Sequence, residues 1–399
     1  PQHITRMTWY VTDKRAYLDA GRELGAAYRE IMDSVGNTKF VGYERITAES
    51  TVGGLLRDGE SVKSASVGDH VEVILDVSPF YAESGGQLGD HGRITLDNGA
   101  VLEVFDVQAP VPGLFVHRAS VVDGEVNVGA KANGQVDLAR RMAISRAHTA
   151  THMVHKAFRE LLGETATQMG SENSPGRLRF DFPSASALSD TVMSEVEARV
   201  NSVLLEDLPV TSQYMTQVEA RESGAMALFG EKYGDQVRVV SVGDWARELC
   251  GGTHTPSTGH LGVVKFLSEG SIGTGVRRVE ALVGSDAYGF LANEHILLEQ
   301  ISGQLKARPE ELPERIAALV AKLRDAEKEL EKFKQAALRS QMSDAIKTVE
   351  VRALGSRVSQ TRSPLLTPWW RRASEPDATG SPSRTRPWFG PNRSGQMRS

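Results

Sequence analysis

The chain has 399 residues, 40% of them hydrophobic and 24% charged, and a formal net charge of −5. This length predicts two or three domains, and no run of eighteen apolar residues is present to form a membrane-spanning helix. The single cysteine, Cys250, excludes an internal disulfide, and no signal-peptide pattern is apparent. These features together predict a cytoplasmic protein.

The net charge is distributed unevenly along the chain. Residues 352–399 contain nine arginines, no lysine and two acidic residues, which gives this segment a charge of +7. Subtracting +7 from −5 leaves −12 for the remainder, so the total charge does not argue for a nucleic-acid partner. Binding of a nucleic acid would require a local basic patch.

The first 136 residues are predicted to form a helical lead-in and a small β-barrel. Residues 21–33 have a helical pattern. From there to residue 136, short runs of alternating apolar residues are separated by Gly, Asp and Asn turns. Such spacing is typical of a small barrel or sandwich.

Residues 137–300 predict a second domain, with helices packed on a mostly antiparallel sheet, so the fold class is α+β. A helix ending at Gly163 has one apolar stripe, formed by Ala147, Ala150, Val154, Ala157 and Leu161. A second helix begins at Ser189 or Asp190, either of which can cap it. Strands are predicted over 176–182, 236–243, 261–270 and 275–284.

Residues 301–350 are predicted to form one long amphipathic helix. From Ile316 to Ala337, apolar residues alternate at spacings of three and four, with Glu and Lys between them. The helix either packs against its own chain or forms a seam for self-association. From about 351 to 399 we expect a disordered tail; the alternatives are an RNA-binding segment and a non-native sequence read in a wrong frame.

Two pairs of residues predict a metal site. The motif "HTATH" places His148 and His152 one turn apart on a helix, and "CGGTH" places Cys250 four residues before His254. Two imidazoles, a thiolate and a third imidazole are a ligand set suited to tetrahedral Zn²⁺. The pair "HTATH" alone is weak, since histidines at this spacing often lie in a core. Thr149 stands where a zinc protease needs Glu, so peptidase chemistry is disfavoured.

Two other segments carry candidate binding groups. The stretch "GSIGTGVRR" is rich in glycine but lacks the Lys and Ser or Thr of a phosphate-binding loop; Arg277 and Arg278 at its end could meet a phosphate. Arg177 lies on a predicted strand. The alternative for these arginines is a solvated sheet face. Gln168 follows the metal helix and could lie over the site.

Six motifs in order resemble the editing half of the alanyl-tRNA synthetase family. They are "PFYAESGGQLGD", "HTATHMVH", "QMGS", "GRLRFDF", "RELCGGTH" and "GVRRVEALVG". The resemblance implies a zinc-containing editing domain over 137–300 that hydrolyses tRNA(Ala) mischarged with serine or glycine. It implies His148, His152, Cys250 and His254 as zinc ligands, and Thr151 and Gln168 beside the aminoacyl group. It implies substrate or tRNA contacts from Gly85, Gly86, Gln87, Arg177, Arg277 and Arg278.

The family also has an aminoacylation core, which performs ATP-dependent ligation of alanine and which we expect this chain to lack. Three hypotheses remain open from the sequence. The first is a zinc-dependent editing hydrolase, and the second is a non-catalytic zinc or tRNA-binding remnant. The third is a threonyl-type editing protein, against which the alanyl-like motif at 79–90 argues.

Overall fold

The computed structural model describes residues 28–226 and 234–355. The chain divides into two compact units, the first ending at Pro309 and the second beginning at Glu310. Within the described part, no helix is both long and apolar enough to cross a membrane.

The first unit opens with a helix, α1, over 28–35. It packs Tyr28, Ile31 and Val35 against the side chains of a small apolar cluster. The predicted lead-in helix is therefore present from residue 28, and residues 21–27 lie outside the described part. Strand β1 (Lys39–Phe40) follows and pairs in parallel with β6 (Val77–Ser78).

A closed six-stranded antiparallel barrel confirms the prediction for this part of the chain. Its strands are β2 (Thr47–Arg57), β5 (His70–Leu75), β7 (Gly92–Leu96), β8 (Val101–Val111), β9 (Leu114–Asp123) and β11 (Lys131–Val136). They neighbour one another in the order β11, β7, β8, β9, β5, β2, and β2 pairs again with β11. Closure leaves none of the six as a free edge.

Side chains along the barrel strands point alternately inward and outward, and the inward ones fill the barrel. In β11 every second residue is buried, as the period of two requires. Three short strands complete this part: β3 (Glu60–Ser61) pairs antiparallel with the end of β2, and β4 (Ser64–Ser66) pairs with β10 (Glu125–Asn127).

The second part of this unit combines helices with two antiparallel sheets, as predicted. Its helices are α2 (Leu138–Leu162), α3 (Asp190–Leu205), α4 (Gln217–Glu222) and α5 (Ser285–Leu305). One sheet has the order β12 (Gly170–Ser174), β13 (Arg177–Pro183), β18 (Val276–Val283), β17 (Val264–Gly273). The other has the order β14 (Val210–Thr216), β15 (Gln236–Val242), β16 (Ala246–Leu249).

Helix α2 connects the apolar core to the candidate site. Asp137 caps its first turn, and Gly163 ends it with a φ of 94°. Four of the five predicted stripe residues are buried, but Leu161 is 43% exposed, so its assignment to the core was wrong. Phe158 takes that place in the last turns, where its ring stacks on Phe182 at 4.8 Å.

Two outcomes concern helix boundaries. Ser189, one of the two residues proposed for the role, caps α3. Helix α5 was not predicted; it extends across residue 300, where the sequence places a domain boundary. The division into compact units falls at 309/310, and the other domain boundaries stay predictions.

The second unit contains the predicted long helix, α6 (Leu312–Gly355), so the helix continues past residue 351. Its seam residues are exposed, among them Leu323, Leu330 and Phe333. The predicted disordered tail from residue 356 onward lies outside the described residues.

Candidate metal centre

Helix α2 carries the first pair of predicted ligands. His148 and His152 are one turn apart, and their rings lie nearly parallel, with centroids 5.1 Å apart and an interplanar angle of 16°. Both side chains are buried. Helical spacing alone therefore places two imidazoles on one face, as the sequence predicted.

The loop after β16 brings the second pair to the same point. Cys250 Sγ lies 3.4 Å from His148 Nε2 and 3.4 Å from His254 Nε2. One ligand atom from each of the four residues lies within 4.8 Å of the others. The predicted convergence of the two pairs is confirmed.

A glycine is required where this loop passes the helix. A Cβ atom at Gly252 would lie 2.1 Å from Cε1 of His148, so any larger residue would displace a ligand. Gly251 has no such contact, and its nearest neighbour would be the hydroxyl of Tyr43 at 3.9 Å. Of the two glycines, Gly252 is the one that the packing demands.

Each histidine is held from outside through Nδ1. His148 Nδ1 lies 2.8 Å from Gln87 Oε1, His152 Nδ1 lies 2.5 Å from Glu248 Oε2, and His254 Nδ1 lies 3.2 Å from Thr149 Oγ1. These partners fix each ring so that Nε2 points to the centre. Such outer contacts are what orient metal-ligating histidines.

The arrangement fits a divalent cation. His152 Nε2 is buried and has no hydrogen-bond partner within the described part of the chain. Zinc bonds of about 2.0–2.3 Å in a tetrahedron separate the ligand atoms by roughly 3.3–3.8 Å. The 3.4 Å separations at Cys250 fall in this range. A Cys–His₃ set with an unpaired imidazole nitrogen thus fits zinc.

The electrostatics of the surrounding side chains favour positive charge at the same place. Burial raises the pKa of the Cys250 thiol, but the charges of His148, His152 and His254 outweigh it and hold that pKa well below its usual value. Burial lowers the pKa of His152, but Glu248 and Cys250 outweigh it and raise the pKa to about 10. Two buried anionic groups therefore need a cation or a proton between them.

The structure adds Glu248, which the sequence reading missed. Its carboxylate is buried and accepts from His152 and, at 2.8 Å, from Nδ1 of His155. Burial raises the pKa of Glu248, but the two imidazoles outweigh it and lower the pKa to about 2. The available signal was the placement of Glu248 two residues before Cys250, on the same face of a strand. His155 is thus a partner of Glu248 and not a fifth ligand.

A loop of the barrel enters the centre. Gln87 is fully buried; its Oε1 accepts from the Thr253 backbone N–H at 2.8 Å, and its Nε2 donates to Thr253 Oγ1 at 2.9 Å. With its contact to His148, Gln87 joins both ligand pairs. Gly85 and Gly86 form the turn before it, with φ values of 57° and 80°. A Cβ atom at Gly86 would lie 2.4 Å from Ser171 Oγ.

A buried ion pair fixes this barrel loop to α2. Arg141 donates from Nε to both carboxylate oxygens of Asp90 at 2.9 Å. Its terminal nitrogens also donate to the backbone oxygens of Gly42 and Pro79. Both charged groups are buried, and Asp90 also accepts from the Tyr81 N–H. The pair therefore sets the distance between the Gln87 loop and the ligand helix.

Neither of the two predicted catalytic residues contacts a ligand atom of the centre in the described hydrogen bonds. Thr151 is buried and donates to Ala147 O or to Asn173 Oδ1, 2.6 Å away. Gln168 is partly exposed and donates to Ser171 Oγ at 3.1 Å. Their catalytic roles stay predictions.

The predicted tRNA-binding arginines lie on one sheet and are paired with acids. Arg177 pairs with Glu280, and Arg278 pairs with Asp181. Arg277 forms a two-point pair with Glu269. Their charges are thus balanced on the sheet, and their contact with tRNA stays a prediction.

A cleft of 660 Å³ opens beside the centre. Tyr43, Arg45, Tyr214 and Arg238 lie along it, and His254 forms part of its wall. His254 is the one partly exposed member of the four-residue ligand set. In this arrangement, solvent reaches the cluster from the His254 side.

Sequence comparisons agree with this fold and site. Residues 7–140 match the family described as tRNA synthetases class II (A). Residues 237–280, which contain Cys250 and His254, match the threonyl and alanyl tRNA synthetase second additional domain. The protein is therefore of the class II aminoacyl-tRNA synthetase type and carries an editing-associated domain.

Three bacterial alanine–tRNA ligases are similar over most of the chain. That of Nocardioides sp. is 64% identical over 310 residues, covering 77% of this chain and 35% of the relative. Those of Acidothermus cellulolyticus and Streptomyces avermitilis are 60% and 57% identical, each covering 78% of this chain and 35% of the relative. The chain belongs to the alanine–tRNA ligase family. It spans about a third of the length of these curated relatives.

Proposed function

We propose that this chain is a zinc-dependent editing hydrolase that cleaves the ester of tRNA(Ala) mischarged with serine or glycine. The observation that supports this most is the cluster of His148, His152, Cys250 and His254. It lies in a protein of the alanine–tRNA ligase family whose second additional domain supplies two of these residues. The proposal covers editing alone; ligation of alanine stays an expectation for the full-length family.

Hydrolysis of an aminoacyl ester requires correct positioning of the ester and the water more than it requires a strong base. An aminoacyl ester is already activated, so a correctly placed water and a polarised carbonyl suffice. Zn²⁺ held by the four ligands would supply a Lewis acid. Gln87 and Glu248 hold two imidazoles in the orientation that metal binding requires. The cleft beside His254 is the approach that we assign to the aminoacylated 3′ end of tRNA(Ala).

Selectivity for serine over alanine requires a polar group that meets the extra hydroxyl. An apolar pocket discriminates weakly against a single hydroxyl, whereas a hydrogen-bonding site discriminates strongly. We assign this role to Thr151, whose oxygen keeps a lone pair while its proton goes to Asn173 Oδ1. Gln168 would contact the aminoacyl group from the following loop.

The tRNA contacts form a further part of the proposal. We assign Arg177, Arg277 and Arg278 to phosphates of the acceptor end, to which they would turn from their present acidic partners. Gly85 and Gly86 would shape the barrel side of the substrate site. A cytoplasmic location and self-association through 316–337 of α6 are proposed with them.

Deacylation by the purified chain tests the function. We expect release of serine from Ser-tRNA(Ala) and of glycine from Gly-tRNA(Ala), with Ala-tRNA(Ala) left intact. The double variant Cys250→Ala, His254→Ala is the control and should show the background rate. Equal rates for the native chain and this variant would reject the proposal. A higher rate on Ser-tRNA(Thr) would favour the threonyl-type alternative.

One observation favours a second candidate, a non-catalytic zinc module. Four protein ligands complete a tetrahedron, which is the arrangement of structural zinc sites, whereas catalytic sites keep a position open. In that case the metal would be present at about one ion per chain, and its removal would lower stability. Deacylation by the metal-loaded chain would nevertheless stay at background.

A further inference from the structure

The backbone of the metal-ligating loop is held by two side chains from outside it. Arg238 on β15 donates from Nη1 to Cys250 O and to Gly252 O, at 2.9 Å each. The hydroxyl of Tyr43 donates to Gly251 O at 2.5 Å. Three consecutive carbonyl groups of the loop therefore each accept a hydrogen bond from this pair.

The two side chains also bind each other. The guanidinium carbon of Arg238 lies 4.2 Å from the centroid of the Tyr43 ring, a cation–π contact. The Tyr43 ring meets Phe40 edge to face, with centroids 4.9 Å apart. Burial raises the pKa of Tyr43 to about 12, so its hydroxyl keeps the proton that it donates at neutral pH. Tyr43 comes from the segment before the barrel, so the pair joins that segment to the metal loop.

The loop needs such support because its sequence gives it little stiffness. Gly251 and Gly252 have wide conformational freedom, and an unconstrained pair of glycines would let the Cys250 and His254 side chains move apart. Gly252 cannot be replaced by a stiffer residue, since it passes against His148. Hydrogen bonds to the carbonyls restrain the backbone without altering a side chain that ligates.

We propose that Tyr43 and Arg238 form a clamp that positions the 250–254 loop for metal binding, so that metal retention depends on residues that are not ligands. Neither side chain contacts a ligand atom of the four-residue cluster in the described contacts, so both are positioning residues. The clamp goes beyond the proposed editing function and rests on it only for its effect on deacylation.

Release of zinc from the zinc-loaded 399-residue chain to a chromogenic chelator tests the clamp. Arg238→Met removes both hydrogen bonds that Arg238 donates to the loop and should speed release by about 10-fold, the effect typical of outer partners of metal ligands. Tyr43→Phe removes one donor and keeps the ring contact, so we expect release about 3-fold faster. Arg238→Lys, which keeps a charged donor, should fall between the native chain and Arg238→Met.

Arg247→Met is the matched control. Arg247 lies on the adjacent strand β16 and binds Asp244 and Ser223 O instead of the metal loop. The Arg247→Met variant should release zinc at the rate of the native chain. The clamp is rejected if Arg238→Met and Tyr43→Phe, both folded by circular dichroism, also release zinc at this rate. If Arg238→Met does not fold, Tyr43→Phe and Arg238→Lys decide by the same comparison.

A second readout separates positioning from general loss of structure. In the cobalt-substituted chain, the thiolate-to-metal absorbance band should shift or weaken in Arg238→Met and stay unchanged in Arg247→Met. In deacylation, the clamp variants should lose kcat in proportion to their loss of zinc; KM is not used as a readout, because Tyr43 and Arg238 also line the cleft that we assign to the tRNA end. If the native chain does not deacylate, the editing proposal fails, while zinc release still decides on the clamp.

Discussion

The barrel and the domain built on α2 solve the burial of polar groups in opposite ways. The barrel core consists of apolar side chains, and its buried His117 has both ring nitrogens satisfied, by Ser78 Oγ at 2.7 Å and Val73 O at 2.9 Å. In the α2 domain, one part of the core is apolar and contains Phe158, Phe180 and Phe182. Beside it lie a thiol, the three imidazoles of the candidate ligand set and a buried carboxylate, with His152 Nε2 unpaired in the described part of the chain.

The two cores differ in whether a bound ion would stabilise them. Strand pairing and apolar burial complete the barrel without outside help. The polar half of the α2 domain holds a buried carboxylate and a buried thiol, whose ionised forms need a cation or a proton beside them in a low-dielectric interior. A cation bound there would meet that need, so we expect metal binding and stability to be coupled in this region and not in the barrel.

The largest effect should come from Cys250→Ala. Loss of the thiolate removes one of four ligands, and we expect zinc content to fall from about one ion per chain to near zero. Deacylation should fall to background. Elemental analysis after gel filtration measures the zinc content per chain. Retention of the native zinc content by the variant would contradict the metal site.

Leu102→Ala tests the other side of the comparison. Leu102 is fully buried in the barrel, so the substitution should lower the free energy of unfolding by about 2–5 kcal/mol. Zinc content should stay at the native level, because the cavity forms away from the ligands. Urea denaturation gives the free energy of unfolding and elemental analysis gives the zinc content; loss of zinc from the folded variant would show that the two regions are not independent.

His117 makes the stability of the barrel depend on pH. Burial lowers its pKa from 6.5 to about 4, and the hydrogen bond from its ring to Val73 O opposes this only in part. Because the unfolded chain binds the proton more readily, the contribution of neutral His117 is complete above pH 6.5. It is lost as the pH falls to 4, by about 3 kcal/mol in total.

The measurement is the free energy of unfolding at several pH values for the native chain and His117→Gln. The variant should lack the part of the decline between pH 6.5 and 4 that His117 contributes. Parallel curves for the two chains would show that His117 is not the group that titrates.

Glu248→Gln should weaken metal binding by about 10- to 100-fold, since it removes the charge that orients and balances His152. Competition with a chelator of known affinity measures this. Glu280→Gln is the control, because Glu280 pairs with Arg177 on the sheet and not with a ligand. Equal zinc affinities in the two variants would show that Glu248 does not support metal binding.

The smallest effect on stability should come from Arg177→Ala. Its ion pair with Glu280 is solvent-accessible, with 47% of the Arg177 side chain exposed, so unfolding should change by less than about 1 kcal/mol. If Arg177 contacts tRNA, KM for Ser-tRNA(Ala) should rise. Arg93→Ala breaks an exposed pair with Glu103 on the barrel and is the matched control. An unchanged KM for Arg177→Ala would exclude this contact.

Local patterns made the elements and the ligand set predictable. The period of two in the barrel strands and the four-residue spacing of His148 and His152 depend on backbone geometry alone. Helix α5 was not predicted, although Leu291, Leu298 and Leu305 recur in it at a spacing of seven. Leu161 fits the helical stripe, but at the end of α2 no core remains to cover it, and its exposure shows that periodicity does not report where a helix ends against its neighbours.

The sequence by itself determined the fold class, a small β-rich domain before residue 137, and the four side chains that form the candidate centre. Only the tertiary structure decided what holds those side chains in place. Gln87 meets Thr253 across 166 residues, and Tyr43 meets Gly251 across 208. Such partners carry no shared period or motif, because contact across two folded elements depends on how strands, loops and helix pack together. Ligand identity is therefore local information, whereas ligand orientation belongs to the assembled fold.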